Sequence, residues 1–269
     1  MHLKRWITAI VLVPALFFIL LKGSAPAFTV VVTLVALLGL KEYFTIVNPP
    51  SSPDKFPIIL LILSHVMGVA IIWGAHEGGA GAALAMVALN LLITALVVIF
   101  SFSPDSTIFD SAFKQIMGIV YVPLFLSFLV LIRNSDQGAI WVIWTFLIVA
   151  ASDTGAFYVG THFGRRKLSP RVSPNKSVEG SIAGLATAVL VGVLFNQLFV
   201  DGVSLFQAVG FSVLAAAVGQ VGDLFESALK RRGRIKDSGS ILPGHGGILD
   251  RIDGLIFALP LAFVFKTLL

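Results

Sequence analysis

The chain has 269 residues, 57% of them hydrophobic and only 12% charged, with a mean hydropathy of +0.96. This excludes an ordinary soluble domain, and the absence of cysteine excludes disulfides and thiolate metal sites. A formal charge of +5 in so apolar a chain points to membrane topology and anionic lipid, not to nucleic acid.

In chain order, nine apolar spans are expected, at roughly 6–21, 27–46, 57–75, 81–102, 115–132, 139–160, 181–199, 203–229 and 252–268. Lys4-Arg5, an apolar run and Ala25-Pro26-Ala27 share the layout of a secretory signal. Another apolar segment follows at once, so an uncleaved first span is the expectation. Breakers separate the next spans at Asn48-Pro49-Pro50, Glu77-Gly78-Gly79 and Ser103-Pro104-Asp105. With the N-terminus inside, sixteen of the nineteen Lys and Arg fall on cytoplasmic segments, leaving only Lys22, Arg133 and Lys266 outside.

The expected fold is therefore all-α: a polytopic membrane helical bundle of about nine transmembrane helices, N-in and C-out. It is expected as a single integral-membrane domain over 1–269, with 1–135 mainly scaffold and 136–269 the catalytic helices and cytoplasmic loops. No internal repeat suggests an inverted-repeat transporter. The two long polar loops, 161–180 and 230–251, then face the cytoplasm and can share one charged substrate.

Three constellations carry chemistry. The first runs from Ser152-Asp153-Thr154-Gly155 to Lys176-Ser177-Val178-Glu179-Gly180. Asp153 lies deep in an apolar span, a position that calls for a partner or an ion. Lys176 and Ser177 put an ammonium and a hydroxyl at a helix start, where phosphate oxygens are well received. Arg165, Arg166 and Lys167 read as residues that meet lipid headgroups. The second constellation is Gln220 to Lys230, where Asp223, Ser227 and Lys230 at i, i+4 and i+7 share one helical face with Glu226 nearby. A single buried ion pair would explain one acid, but not the cluster. The third is Gly244-His245-Gly246-Gly247 followed by Asp250-Arg251-Ile252-Asp253. The glycines make a turn, and the two acids share a face at the start of the last span. Capping accounts for one acid there, not for two with an Arg and a Gly-rich approach. A lone histidine such as His245 is more often a hydrogen-bonding loop residue than a catalyst.

Basic groups, carboxylates and a Gly-rich turn together suit metal-assisted phosphoryl or nucleotidyl transfer at a membrane. The spacing Ser227-x-x-Lys230-Arg231, Lys236-Asp237, Pro243-x-His245-Gly246-Gly247-x-x-Asp250-Arg251-x-Asp253 closely resembles the signature of the phosphatidate cytidylyltransferase (CDP-diacylglycerol synthase) family. The segment 173–180 and the region of Asp153 also resemble it. Arg231-Arg232-Gly233-Arg234 is more basic than the family pattern demands.

The resemblance implies a nucleotidyltransferase of phospholipid biosynthesis, making CDP-diacylglycerol and pyrophosphate from CTP and phosphatidic acid. Mg²⁺ is the implied cofactor, with a second monovalent or divalent ion left open, and Asp223, Asp250 and Asp253 are its implied ligands. Asp250, Asp253, Lys230 and Lys236 are the implied catalytic residues. Lys176, Ser177, Ser227, Arg231, His245, Arg251 and Asp153 are the implied substrate-binding set. The implied location is a bacterial-type plasma (inner) membrane with the site facing the cytoplasm, among membrane lipids, with a homodimer left open and no nucleic acid. A CTP-dependent lipid kinase would release CDP instead of pyrophosphate, and a secondary transporter would show flux in sealed vesicles. The CDP-alcohol phosphotransferases share the substrate class, but their DGxxAR-type pattern is not present here.

Overall fold

Apolar segments in a medium without water must satisfy their backbone hydrogen bonds internally, and this chain does so almost entirely as helices. The structure, a computed structural model, describes residues 14–49, 55–235, 237–239 and 246–269. After a helical stretch over 14–22 come α1 (Ala25–Val47), α2 (Ile58–Ser101), α3 (Ile108–Ile119), a π-helical turn (Val120–Leu124) and α4 (Phe125–Arg133). Then follow α5 (Gly138–Phe163), strands β1 (Lys167–Ser169) and β2 (Ser173–Ser177), α6 (Val178–Phe199), α7 (Leu205–Arg232) and α8 (Leu249–Thr267).

Six stretches of the described residues are long and apolar enough to cross a membrane: Ala25–Val47, Ile58–Ser101, Ile108–Arg133, Gly138–Phe163, Val178–Phe199 and Leu205–Arg232. Large apolar side chains such as Leu92, Phe100, Leu190 and Phe206 stand exposed on them, as lipid contact requires. The chain is an all-α polytopic integral membrane protein.

The expected spans 57–75 and 81–102 run together as α2, whose 44 residues would reach about 66 Å if straight, twice the hydrocarbon core. The helix breaks at Gly79 (φ 70°, ψ −162°), a conformation essentially reserved for glycine, which leaves two halves of bilayer length. The expected span 115–132 is interrupted by the π-turn at Pro123, which has no N–H to give the preceding turn. The polar loop 161–180 contains an antiparallel two-stranded ribbon that helical periodicity could not reveal. Residues 6–13 of the first expected span lie outside the described residues.

The described residues form two compact units, one from Met1–Asn134 with Arg232–Asp250, the other from Ser135–Arg231 with Arg251–Leu269. In the first, Met67, Ile71, Ala75, Ala83 and Ile119 form a core, and Tyr43 donates its hydroxyl to the carbonyl of Lys114 at 2.9 Å. Ser24 caps α1, and Arg133 donates to the carbonyls of Leu20 (2.6 Å) and Gly23 (3.2 Å), satisfying the end of the preceding helical stretch. In the second, fully buried Trp144 packs against Phe211 in a tilted ring contact (centroids 4.6 Å apart) and donates to the carbonyl of Gly192 at 2.8 Å. Gly180, Gly184, Ala188 and Gly192 form a buried small-residue stripe along α6. A Cβ at Gly184 would stand 2.7 Å from the carbonyl oxygen of Ser152, so α5 and α6 approach backbone to backbone.

Candidate active site

Close antiparallel packing of α5, α6, α7 and the part of α8 in the second unit gathers polar residues at one end. Asp153 sits about three turns before the end of α5, Asp223 two to three turns before the end of α7, and Asp253 in the opening turns of α8. Lys176 is the penultimate residue of β2, and Ser177, which ends the strand, is the N-cap of α6. A layer of neutral groups fixes the helices one residue position or one turn away. Gln220 donates through Nε2 to Ser152 Oγ and to the carbonyl of Ser181, both at 3.1 Å, and accepts from the Ser181 hydroxyl.

Upon this layer lies the charged cluster. Lys176 Nζ pairs with Asp223 Oδ2, and the side chains remain 27% and 28% exposed. Asp153 is exposed and feels the charges of Asp223 and Lys176; Asp253 feels those of Asp223, Asp153 and Lys230. Lys230 pairs with the fully buried Glu226, one turn earlier on α7. The expected face of Asp223, Ser227 and Lys230 is thus present, and its charges are tied to Lys176 and Glu226. Asp253 Oδ1 also accepts the backbone N–H of Gly254 at 2.8 Å.

The loop between α5 and α6 is held by its own residues. Ser177 Oγ accepts the N–H of Gly180 at 3.1 Å, and Glu179 accepts the N–H groups of Arg165 (3.0 Å) and Arg166 (3.2 Å). Arg231 donates through Nε to the carbonyl of Val172 at 3.2 Å, so this arginine braces the ribbon. Ser227 is half-buried on α7, and Arg251 is exposed.

In the first unit, Asp250 Oδ2 accepts the N–H groups of Ser238 (3.0 Å) and Gly247 (2.9 Å). Beside it stands an acid that sequence reasoning missed. Glu42, on α1 and 3% exposed, accepts from the Ser238 hydroxyl (3.0 Å) and from the N–H groups of Ile248 and Leu249 (each 2.9 Å). The signal was available: a glutamate within the apolar run 34–47 must find a partner. Lys236 and His245 lie outside the described residues.

Among the described residues, no group of three or more His, Cys, Asp and Glu side chains forms a ready metal cage. The donors nevertheless suit a hard divalent cation: Asp153, Asp223 and Asp253 offer only oxygen and lie within electrostatic range of one another. Mg²⁺ commonly takes one or two carboxylates, keeps waters and accepts phosphate oxygens, so a sparse acidic set fits it.

A family model described as "Cytidylyltransferase family" matches residues 3–269. A Staphylococcus aureus protein named phosphatidate cytidylyltransferase is 35% identical over 262 residues, covering 96% of each chain. One of the same name from Bacillus subtilis is 30% identical over 268 residues, covering 98% of this chain and 97% of its own. A third, from Staphylococcus saprophyticus, is 36% identical over 262 residues, covering 96% of each.

Proposed function

We propose, because this chain belongs to the cytidylyltransferase family, that it converts CTP and phosphatidate to CDP-diacylglycerol and pyrophosphate. The observation that carries this reading is the match over 96% and 98% of the chain to bacterial proteins bearing that activity's name. An anionic oxygen of the phosphatidate headgroup attacks the α-phosphorus of CTP, and the bond from that phosphorus to the oxygen bridging the β-phosphate breaks. That nucleophile is already charged near neutral pH, so no strong base is needed. Positioning and charge neutralisation supply most of the acceleration.

Lys176, Lys230, Lys236 and Arg251 hold the phosphates of the two anionic substrates, while Ser177, Ser227, Arg231, His245 and Asp153 complete the binding surface. Asp223, Asp250 and Asp253 would hold Mg²⁺, which would supply Lewis-acid neutralisation of the triphosphate. The mixed-sign cluster of Asp153, Lys176, Asp223, Lys230 and Asp253 supports this assignment, because it unites phosphate-seeking and cation-seeking groups. The chain crosses the membrane about nine times, N-in and C-out, in a bacterial-type inner membrane with the site facing the cytoplasm. The bias of Lys and Arg toward alternate loops supports that orientation.

Detergent-purified protein given phosphatidate, labelled CTP and Mg²⁺ should form CDP-lipid with equimolar pyrophosphate, and a chelator should abolish turnover. CDP with a phosphorylated lipid would replace this reading with a lipid kinase. Full turnover in the chelator would remove the metal from it.

A further inference from the structure

Burying a carboxylate among apolar helices is unfavourable unless hydrogen bonds replace its water. Glu42 is almost fully buried, and its partners come from one place more than 190 residues away in sequence. Oε1 accepts from the N–H of Ile248, while Oε2 accepts from the N–H of Leu249 and the hydroxyl of Ser238. Ile248 and Leu249 stand at the opening of α8, where backbone N–H groups have no helical acceptor. Glu42 therefore caps α8 from another helix, and a negative charge there is favoured by the helix dipole.

Close approach is built into the loop. A Cβ at Gly239 would come within 2.6 Å of Oε1, and one at Gly247 within 2.6 Å of Oε2. Asp250, in the first turn of α8, holds the same loop from the other side through the N–H groups of Ser238 and Gly247. Two carboxylates thus hold Ser238, Gly247, Ile248 and Leu249, and Asp250 is one of the acids assigned to nucleotidyl transfer.

We propose that Glu42 is a positioning residue for this reaction. Its buried carboxylate anchors Ser238, Ile248 and Leu249, and so sets where Asp250 stands. The inference rests on the cytidylyltransferase reading. It assigns a role in the chemistry to an acid of α1, within the half of the chain read as scaffold.

The test uses full-length protein in detergent. Glu42→Gln keeps the shape but turns an NH₂ toward donors that need an acceptor. It should speed trypsin cleavage after the exposed Arg234 by about 10-fold and lower kcat by about 10-fold, with the KM for phosphatidate within about 2-fold. Glu42→Asp, which keeps the charge, should recover part of kcat. Should Glu42→Gln not fold, Ser238→Ala carries the test by removing one of the three donors, with cleavage and kcat moving the same way by about 3-fold. Unchanged cleavage in the folded variant overturns the anchor, and faster cleavage with full kcat overturns the positioning role. Wild-type protein that makes no CDP-lipid would overturn the reading of function instead. The trypsin assay needs no turnover and decides the anchor by itself.

Discussion

Asn90 and Gln115, between two helices of the first unit, and Lys176 and Asp223, between a strand and a helix of the second, are both polar pairs in an apolar chain, and they are built on opposite rules. Asn90, Thr94 and Gln115 are at most 1% exposed and neutral. Gln115 donates to Asn90 Oδ1 at 2.8 Å, and its Oε1 accepts from Asn90 (3.3 Å) and Thr94 (3.1 Å), so the group satisfies itself. Lys176 and Asp223 are charged, more than a quarter exposed, and surrounded by further charges of both signs. The closed neutral pair is turned inward on itself and locks α2 to α3. The open charged pair can exchange partners. Polarity inside a membrane span is therefore not by itself a sign of function; charge that stays accessible is the stronger sign.

The largest effect should separate the two regions on the activity axis. Asp223→Ala should lower turnover by about 10³-fold or more, because on the proposed reading it removes an oxygen that would hold the cation where charge develops. The melting midpoint should stay near that of the wild type, since Lys176 can turn to water once its partner is gone. Asp250→Ala should lose activity similarly. Near-normal turnover in a folded Asp223→Ala protein would break the comparison, because the open pair would then be as structural as the closed one.

A smaller effect follows for the cation of the same pair. Lys176→Met keeps most of the apolar stem and removes the charge, and should lower kcat/KM for CTP or phosphatidate by about 10²-fold. Lys176→Arg retains the charge on a differently shaped head and should fall between. Measured rates on both variants would sharpen the contrast, since a purely structural ion pair would respond to both in stability and not in rate.

Much of this contrast was legible in the residues alone. Spans separated by Pro and Gly, the break at Gly79 and the shared face of Asp223, Ser227 and Lys230 all follow from local periodicity and turn chemistry. What escaped was long-range pairing. Nothing near Lys176 announces that its ammonium reaches Asp223, 47 residues on, or that Glu42 caps a helix beginning at Leu249. The ribbon 167–177 escaped for another reason: strands this short and polar have no alternating apolar face to betray them. Ser152 in α5 and Ser181 in α6 give no local sign of their partner, because each is tied to Gln220 on α7.

The smallest expected effect belongs to the closed pair, and it must appear on the other axis. Gln115→Leu leaves Asn90 without its acceptor and donor in a place water does not reach, so stability should drop by about 0.5–2 kcal/mol while kcat stays at the wild-type value. The cost comes from the orphaned amide, not from a lost attraction. Replacing both amides, as Asn90→Leu with Gln115→Leu, should therefore restore most of the stability, because an apolar pair of similar shape has nothing left to satisfy. Thermal unfolding of the two singles and the double gives the coupling directly. If the double variant were as unstable as the sum of the singles, the pair would be two independent residues. If either single lowered kcat without lowering the melting midpoint, the closed neutral pair would take part in the chemistry, and accessible charge would lose its standing as the mark of the site.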